Sequence, residues 1–342
     1  MTSNEIDFFS PVGAASCRDD RGWKPLPQER HFTTDRMAPS ALTRLLRAHQ
    51  NMLHTIKNYF VKYLPQSPAG CTGCVALLAA ALLAWVDLRL AAIPLGIFMA
   101  LCSAAPFIPS SSFFLPVISR GTCSRKAVAL TFDDGPDPLT TPELLRLLKK
   151  HRVSGTFFVT GHRVVRYPQL TKEIIAQGHS LANHSFHHDM LGAFRSTPTM
   201  QHEIGATQRA LKGLGIVALA YRPPMGITSP RLRRVMQKEG MFVVNFSCRA
   251  WDGGNRRIRN MSRRILKHVR ANDIVLLHDN LAEPSLFPHW AAEVDLILQG
   301  IPEKGLEIIP LADLIGRPVM IATGGHAEIH PGPNSEHPSI TR

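Results

Sequence analysis

The chain has 342 residues and a formal net charge of +13, with 39 Lys and Arg against 26 Asp and Glu. That length holds one large domain with extensions. The basic balance suits an anionic membrane surface or an acidic polymer, and no RNA- or DNA-binding signature accompanies it, so nucleic acid is not an expected partner. The six cysteines, Cys17, Cys71, Cys74, Cys102, Cys123 and Cys248, are scattered and do not form the framework of a disulfide-rich domain. Cys71-Thr72-Gly73-Cys74 lacks a second ligand pair at zinc-site spacing and reads as incidental.

Residues 1–39 are polar, proline-bearing and aperiodic, and are expected to be disordered. Ser40 is placed to cap a basic amphipathic helix over residues 40–64. Leu42, Leu45, Leu46, Leu53, Ile56 and Phe60 recur at helical spacing, and Arg44, Arg47, Lys57 and Lys62 are its charged side chains. Such a helix can lie on a membrane surface or pack on the protein's own core.

Residues 73–118 form an apolar membrane region, with Asp87 and Arg89 the only charges between Val75 and Val117. Val75–Val86 is short for a span, whereas Leu90–Ile108 approaches the ~20 residues a bilayer needs. One span or a two-span hairpin turning at Asp87–Arg89 both fit, and basic residues at both ends favour a hairpin with cytoplasmic ends. Counted from Met1, the segment lies too far in for an ordinary cleaved signal peptide. The chain is therefore expected to be membrane-anchored, with the side of its C-terminal domain open.

From Arg125 short apolar strands alternate with amphipathic helices. Strands are expected at Ala127–Phe132, Thr156–Thr160, His179–Ala182, Ala218–Arg222, Phe242–Phe246, Asp273–His278 and Leu306–Ile309. Helices are expected at Pro142–Lys150, Tyr167–Gln177, Thr199–Leu214, Arg231–Glu239, Met261–Val269 and Pro288–Gln299. This alternation implies an α/β fold with a parallel sheet, open or closed into a barrel. Residues 323–342, rich in Gly, Pro, His and Ser, are expected to be a disordered tail.

The polar clusters fall just after the strands, at the end where barrels build their active sites. Leu130-Thr131-Phe132-Asp133-Asp134-Gly135-Pro136 crowds two carboxylates at a strand end. Two such acids resist joint ionisation unless a cation lies beside them, so a metal or an arginine is implied. His184 and His188 are four residues apart, which in a helical turn places both imidazoles on one face. With a carboxylate they make a three-ligand site suited to zinc, with cobalt, nickel or iron as alternatives. His179 and His187 leave the choice of pair open. Arg222, fixed before Pro223-Pro224, can clamp a carboxylate. Trp251-Asp252 and Leu277-His278-Asp279 bring two further polar groups to strand ends.

The order Thr-Phe-Asp-Asp-Gly, His-Ser-x-x-His, Arg-x-Pro-x-Gly, an aspartate after Trp, and Leu-x-His resembles the NodB-homology polysaccharide deacetylases, carbohydrate esterase family 4. The likeness covers residues 125–315. It implies a distorted (β/α) barrel of NodB type and a metal-dependent hydrolase that removes N-acetyl groups from N-acetylated amino sugars of a peptidoglycan- or chitin-like glycan. By motif position it implies Asp134, His184 and His188 as metal ligands and Asp133 as the base acting on water. His278 is then the acid that protonates the leaving amine, Arg222 holds Asp133, and Asp252 orients His278. Met225, Trp251 and Leu276 fall where substrate or oxyanion contacts are made. Met225 stands where many relatives carry an aromatic residue, and Trp251 precedes its acid where the usual order is Asp-Trp. A hydrolase of non-carbohydrate amides and a silent carbohydrate-binding barrel are the alternatives.

Overall fold

The computed structural model describes residues 67–323. The expectations for residues 1–39 and 40–64, and for the tail beyond Thr323, lie outside the described residues.

Two apolar helices come first, α1 (Pro68–Ala84) and α2 (Ala92–Ala104), joined through a short 3-10 turn at Leu88–Ala91. Ser67 caps α1 by accepting from the Gly70 N–H. The continuous stretch Leu88–Phe107 is 20 residues long, has a mean hydropathy of 1.9 and is only 11% buried. By length and composition it can cross a membrane, and α1 is apolar but shorter. Its low burial separates it from the core helix of a soluble domain.

The α/β part follows as β1 (Val117–Ile118), β2 (Ala127–Asp133), α3 (Thr140–His151), β3 (Thr156–Val159), α4 (Gly161–Arg166), α5 (Pro168–Ala176) and β4 (Ser180–Asn183). Next come α6 (Thr197–Lys212), β5 (Ile216–Ala218), β6 (Ala220–Tyr221), α7 (Pro230–Glu239), β7 (Phe242–Val244), β8 (Cys248–Arg249), α8 (Met261–His268) and β9 (Ile274–His278). The last elements are α9 (Phe287–Glu303), β10 (Glu307–Ile308), α10 (Leu311–Ile315) and β11 (Met320–Ala322). The main sheet runs β1-β7-β6-β4-β3-β2-β9-β8, all parallel, with β10 pairing the start of β2. Its edge strands β1 and β8 do not pair with each other, and an isolated antiparallel bridge between Arg120 and Asp273 links the β1 end to the start of β9, so the sheet is a curled half-barrel.

Strand alternation sorts the side chains into two layers. Val128, Leu130, Phe132, Phe157, Val159 and Leu277 face outward, into a core shared with Leu144, Leu148, Ile174, Trp290 and Ile297 of the helices. Ala127, Ala129, Phe158, Ala182, Ala220, Ile274 and Leu276 face inward. Alanine recurs there because a tightly curled sheet leaves little interior space. At the strands' starting end Leu311, Leu314 and Ile315 join the inner layer and close the barrel. The Ile309 N–H bonded to Val128 O and the Thr122 N–H bonded to Leu314 O fix this plug.

Several elements differ from the expectations. The expected strand Ala218–Arg222 is two pieces, because β5 turns out of the main sheet to pair antiparallel with β11. Val117–Ile118, at the end of the apolar run, is the edge strand of the main sheet. Helix α4 precedes α5, and Pro168 starts the latter where a proline's missing N–H costs nothing.

Candidate active site

The inward parity of β2 carries Ala127, Ala129, Thr131 and finally Asp133 to the mouth. Strand β9 does the same for Ile274, Leu276 and His278, and the register sets His278 beside Asp133. Arg222 and His184 follow the inward-facing Ala220 and Ala182 by two residues each. Two-residue periodicity thus converges four of the sequence-predicted groups on one point.

Asp133 is 4% exposed and Arg222 is fully buried. Arg222 Nη1 donates to Asp133 Oδ1 at 2.7 Å and to Thr131 Oγ1 at 2.9 Å. Its Nε and Nη2 donate to the Val244 and Asn245 carbonyls, and the guanidinium lies 3.9 Å above the Phe158 ring. All three guanidinium nitrogens donate, four bonds in all, so the Asp133 carboxylate has one orientation. Its other oxygen, Oδ2, stands 3.6 Å from His184 Nε2.

Asp134 has φ 74°, which turns its side chain away from that of Asp133. Asp134 Oδ1 is 3.2 Å from His188 Nε2 and 3.5 Å from His184 Nε2. The three donor atoms lie within 4.8 Å of one another and could hold a metal ion. Oδ1 is buried yet makes no hydrogen bond of good geometry. An orphaned buried carboxylate oxygen facing two imidazole nitrogens fits a cation as its partner. His184 Nδ1 is 2.7 Å from the Arg222 carbonyl, which fixes the ring with Nε2 toward the site. Burial raises the Asp134 carboxyl, but the contact and charge of His184, with His278 and His188, outweigh it and hold it well below the usual carboxylate range.

The expected helical turn is absent. His184 to His188 is a loop in which Ser185 (φ 65°) and His188 (φ 57°) are left-handed. Asn183 Oδ1 accepts from the Ser185 N–H, and Ser185 Oγ from the His188 N–H, so side chains build the turn that brings the two rings to 4.9 Å. The two other histidines lie elsewhere. His187 faces Glu203 at 2.8 Å. His179 accepts from the Gly155 N–H, and burial pushes its pKa down to about 4.

His278 Nδ1 is 2.8 Å from Asp252 Oδ2. Asp252 also accepts from the Asn255 N–H, while Asn255 Nδ2 donates to the His278 and Asn280 carbonyls, so one loop grips the histidine twice. Burial lowers the imidazole pKa, but the Asp252 bond and charge prevail and raise it to about 9. Met225 (φ 60°) and Trp251 (φ 57°) are exposed, left-handed residues at the mouth. The Arg249 guanidinium lies 3.4 Å above the Trp251 ring. Leu276 faces the barrel interior one inward position below His278.

Asp279 carries a role that the sequence did not reveal. It is fully buried and accepts from Thr140 Oγ1 at 2.8 Å and Thr141 Oγ1 at 2.6 Å. Its N–H donates to the Asp133 carbonyl at 2.7 Å. A Cβ at Gly135 would run into its carboxylate, so only glycine fits the turn after Asp134. Burial pushes its pKa up to about 8.

Comparison with known proteins agrees with this architecture. The family described as polysaccharide deacetylase matches residues 120–244. A peptidoglycan-N-acetylglucosamine deacetylase of Bacillus cereus is 29% identical over 197 residues, covering 56% of this chain and 89% of the relative. A chitooligosaccharide deacetylase of a Bradyrhizobium species is 32% identical over 200 residues, covering 55% of this chain and 90% of the relative. The crystal structure of a peptidoglycan N-acetylglucosamine deacetylase superposes with a TM-score of 0.55 at 26% identity, covering 59% of this chain and 94% of that one.

Proposed function

Because the chain belongs to the polysaccharide deacetylase family of hydrolases, we propose that it removes acetyl groups from N-acetylated amino sugars of a peptidoglycan- or chitin-like glycan with a divalent metal. The observation that carries the metal is Asp134 Oδ1, buried and unpartnered between the His184 and His188 rings. Asp134, His184 and His188 would hold the ion, and two imidazoles with one carboxylate suit zinc, with cobalt, nickel or iron as alternatives. When bound, a divalent cation lowers the pKa of water from ~15.7 toward ~7 and polarises the acetyl carbonyl.

The chain's own residues divide the remaining work. Asp133, aimed by Arg222, takes the proton of the attacking water at Oδ2, the oxygen Arg222 leaves free. The Met225 N–H, at the left-handed turn on the mouth, donates to the oxygen that gains charge as the tetrahedral centre forms. His278, with Nδ1 held by Asp252, delivers a proton from Nε2 to the amine as the C–N bond breaks. Its raised pKa keeps it protonated at neutral pH, as an acid must be. Trp251 offers an aromatic face to the sugar, and Leu276 lines the floor where the acetyl methyl enters.

The apolar stretch Leu88–Phe107 would anchor the enzyme in a membrane, of bacterial inner-membrane type. The test is acetate release by the purified full chain from N-acetylchitooligosaccharides and peptidoglycan fragments. We expect activity that chelation removes and zinc or cobalt restores. Stoichiometric metal without acetate from any glycan would favour a non-carbohydrate amide, and neither metal nor acetate would favour a silent barrel.

A further inference from the structure

Large apolar side chains are exposed in two places that adjoin. One is the helical pair, where Leu82, Trp85, Val86, Leu88 and Ile97 are exposed. The other is the loop after His188, where Met190 and Leu191 are each 59% exposed and Phe194 is 45% exposed. The root of the helical pair joins them. The Pro106 carbonyl accepts from the Thr228 N–H at 3.2 Å. The Pro109 carbonyl accepts from Asn245 Nδ2 at 2.8 Å, and the same Nδ2 donates to the Gly226 carbonyl at 3.0 Å. The Phe107 and Phe194 rings lie 6.1 Å apart. Gly226 follows Met225 directly, and the Asn245 carbonyl holds the Arg222 guanidinium.

The membrane-crossing stretch therefore ends, at Phe107, on the rim of the candidate active site. If Leu88–Phe107 lies in a bilayer, its last residues are at the headgroup level, and so is whatever they touch. Large exposed apolar groups at that level would meet lipid rather than water. Arg231, which donates to the Phe194 carbonyl, supplies a cation that favours an anionic headgroup layer, while Arg195 is paired with Asp189 at 2.8 Å.

We infer that the mouth of the barrel opens onto the membrane surface, with Met190, Leu191 and Phe194 in the interface, and that the substrate is an N-acetylated amino sugar carried on a membrane lipid. This rests on the reading of the chain as a membrane-anchored deacetylase. A glycan free in solution would approach a mouth partly occluded by the bilayer. A sugar attached to a lipid headgroup would be presented at the height of Asp133 and His278. A cavity of about 190 Å³ under the same loop has Met200, Ile204, Tyr221 and Pro224 on one part of its wall and His187, Asp189, Arg195 and Glu203 on another, so it has room for an amphipathic group beyond the sugar.

The full chain in phosphatidylcholine–phosphatidylglycerol vesicles tests this with two substrates, an N-acetylglucosaminyl glycolipid in the same vesicles and a soluble chitooligosaccharide. The double variant Leu191→Gln/Phe194→Gln leaves the proposed catalytic groups intact. It should lose about tenfold or more on the glycolipid, the scale of two apolar side chains kept from lipid, and nothing on the soluble sugar. A nitroxide on Met190→Cys, with the native cysteines replaced, should be shielded from aqueous relaxants and open to oxygen. A water-exposed label, or equal effects on both substrates, overturns the inference. No acetate from either substrate would instead contradict the deacetylase reading, and the label would still decide where the rim lies.

Discussion

The two ends of the barrel are built from the same strands and could hardly differ more. At the strands' start the inner layer ends in Ala127, Ala129 and Ile274, and Leu311, Leu314 and Ile315 seal it. Four residues further along the same inward rows stand Asp133 and His278, with Arg222 and His184 beside them. The sealed end buries apolar surface and contributes stability. The open end keeps several charged or chargeable groups out of water at a cost in desolvation, and offsets it by pairing them in fixed geometry. Substitutions at the open end should therefore change chemistry with modest effects on folding, and those at the sealed end the reverse.

The largest separation is expected from His278→Ala. Losing a positioned acid should slow N-acetyl cleavage by roughly 10²- to 10⁴-fold, and an acetate ester with a good leaving group far less. Equal slowing of both would remove His278 from the role of acid. At the sealed end, Leu314→Ala should cost about 2–5 kcal/mol by denaturant unfolding, while turnover per folded molecule stays near that of the parent. A loss of turnover without a loss of stability would blur the two ends.

A finer effect separates positioning from chemistry within the open end. His278 titrates near 9 because Asp252 outweighs its burial, so turnover that needs the protonated ring should fall above about pH 9. Asp252→Asn should move that alkaline fall to lower pH, read from kcat against pH. An unmoved limb would mean that another group sets it. The smallest effect concerns Asp279, whose pKa of about 8 lies above the usual carboxylate value of 3.8. Its contribution to stability is complete below about pH 4 and is lost as pH rises toward 8, because the unfolded chain ionises first. Asp279→Asn should flatten the decline in melting temperature across that window, and an unchanged decline would show that other groups cause it.

Much of the open end was legible in the sequence because strand alternation is a strict rule. Once β2 and β9 are recognised, Asp133 and His278 must face inward, and Arg222 and His184 follow from Ala220 and Ala182. What the sequence hid depends on tertiary context. Val117–Ile118 and Cys248–Arg249 are strands too short to show a period. The left-handed Ser185 and His188 replace the expected helical turn, and the Asn183 and Ser185 side chains, accepting from the Ser185 and His188 N–H groups, hold that loop together with bonds to Gly161, His162 and Glu203 that no local pattern announces. Asp279 looked like a neighbour of His278, and its burial against Thr140 and Thr141 requires partners almost 140 residues away in sequence.

The two adjacent carboxylates are proposed to have different jobs, with Asp134 on the metal and Asp133 on the water. Metal content per folded molecule and turnover, measured side by side for Asp133→Asn and Asp134→Asn, test it most directly. Asp133→Asn should keep its metal and lose turnover, while Asp134→Asn should lose both. Metal lost from Asp133→Asn, or turnover kept by either variant, would contradict it.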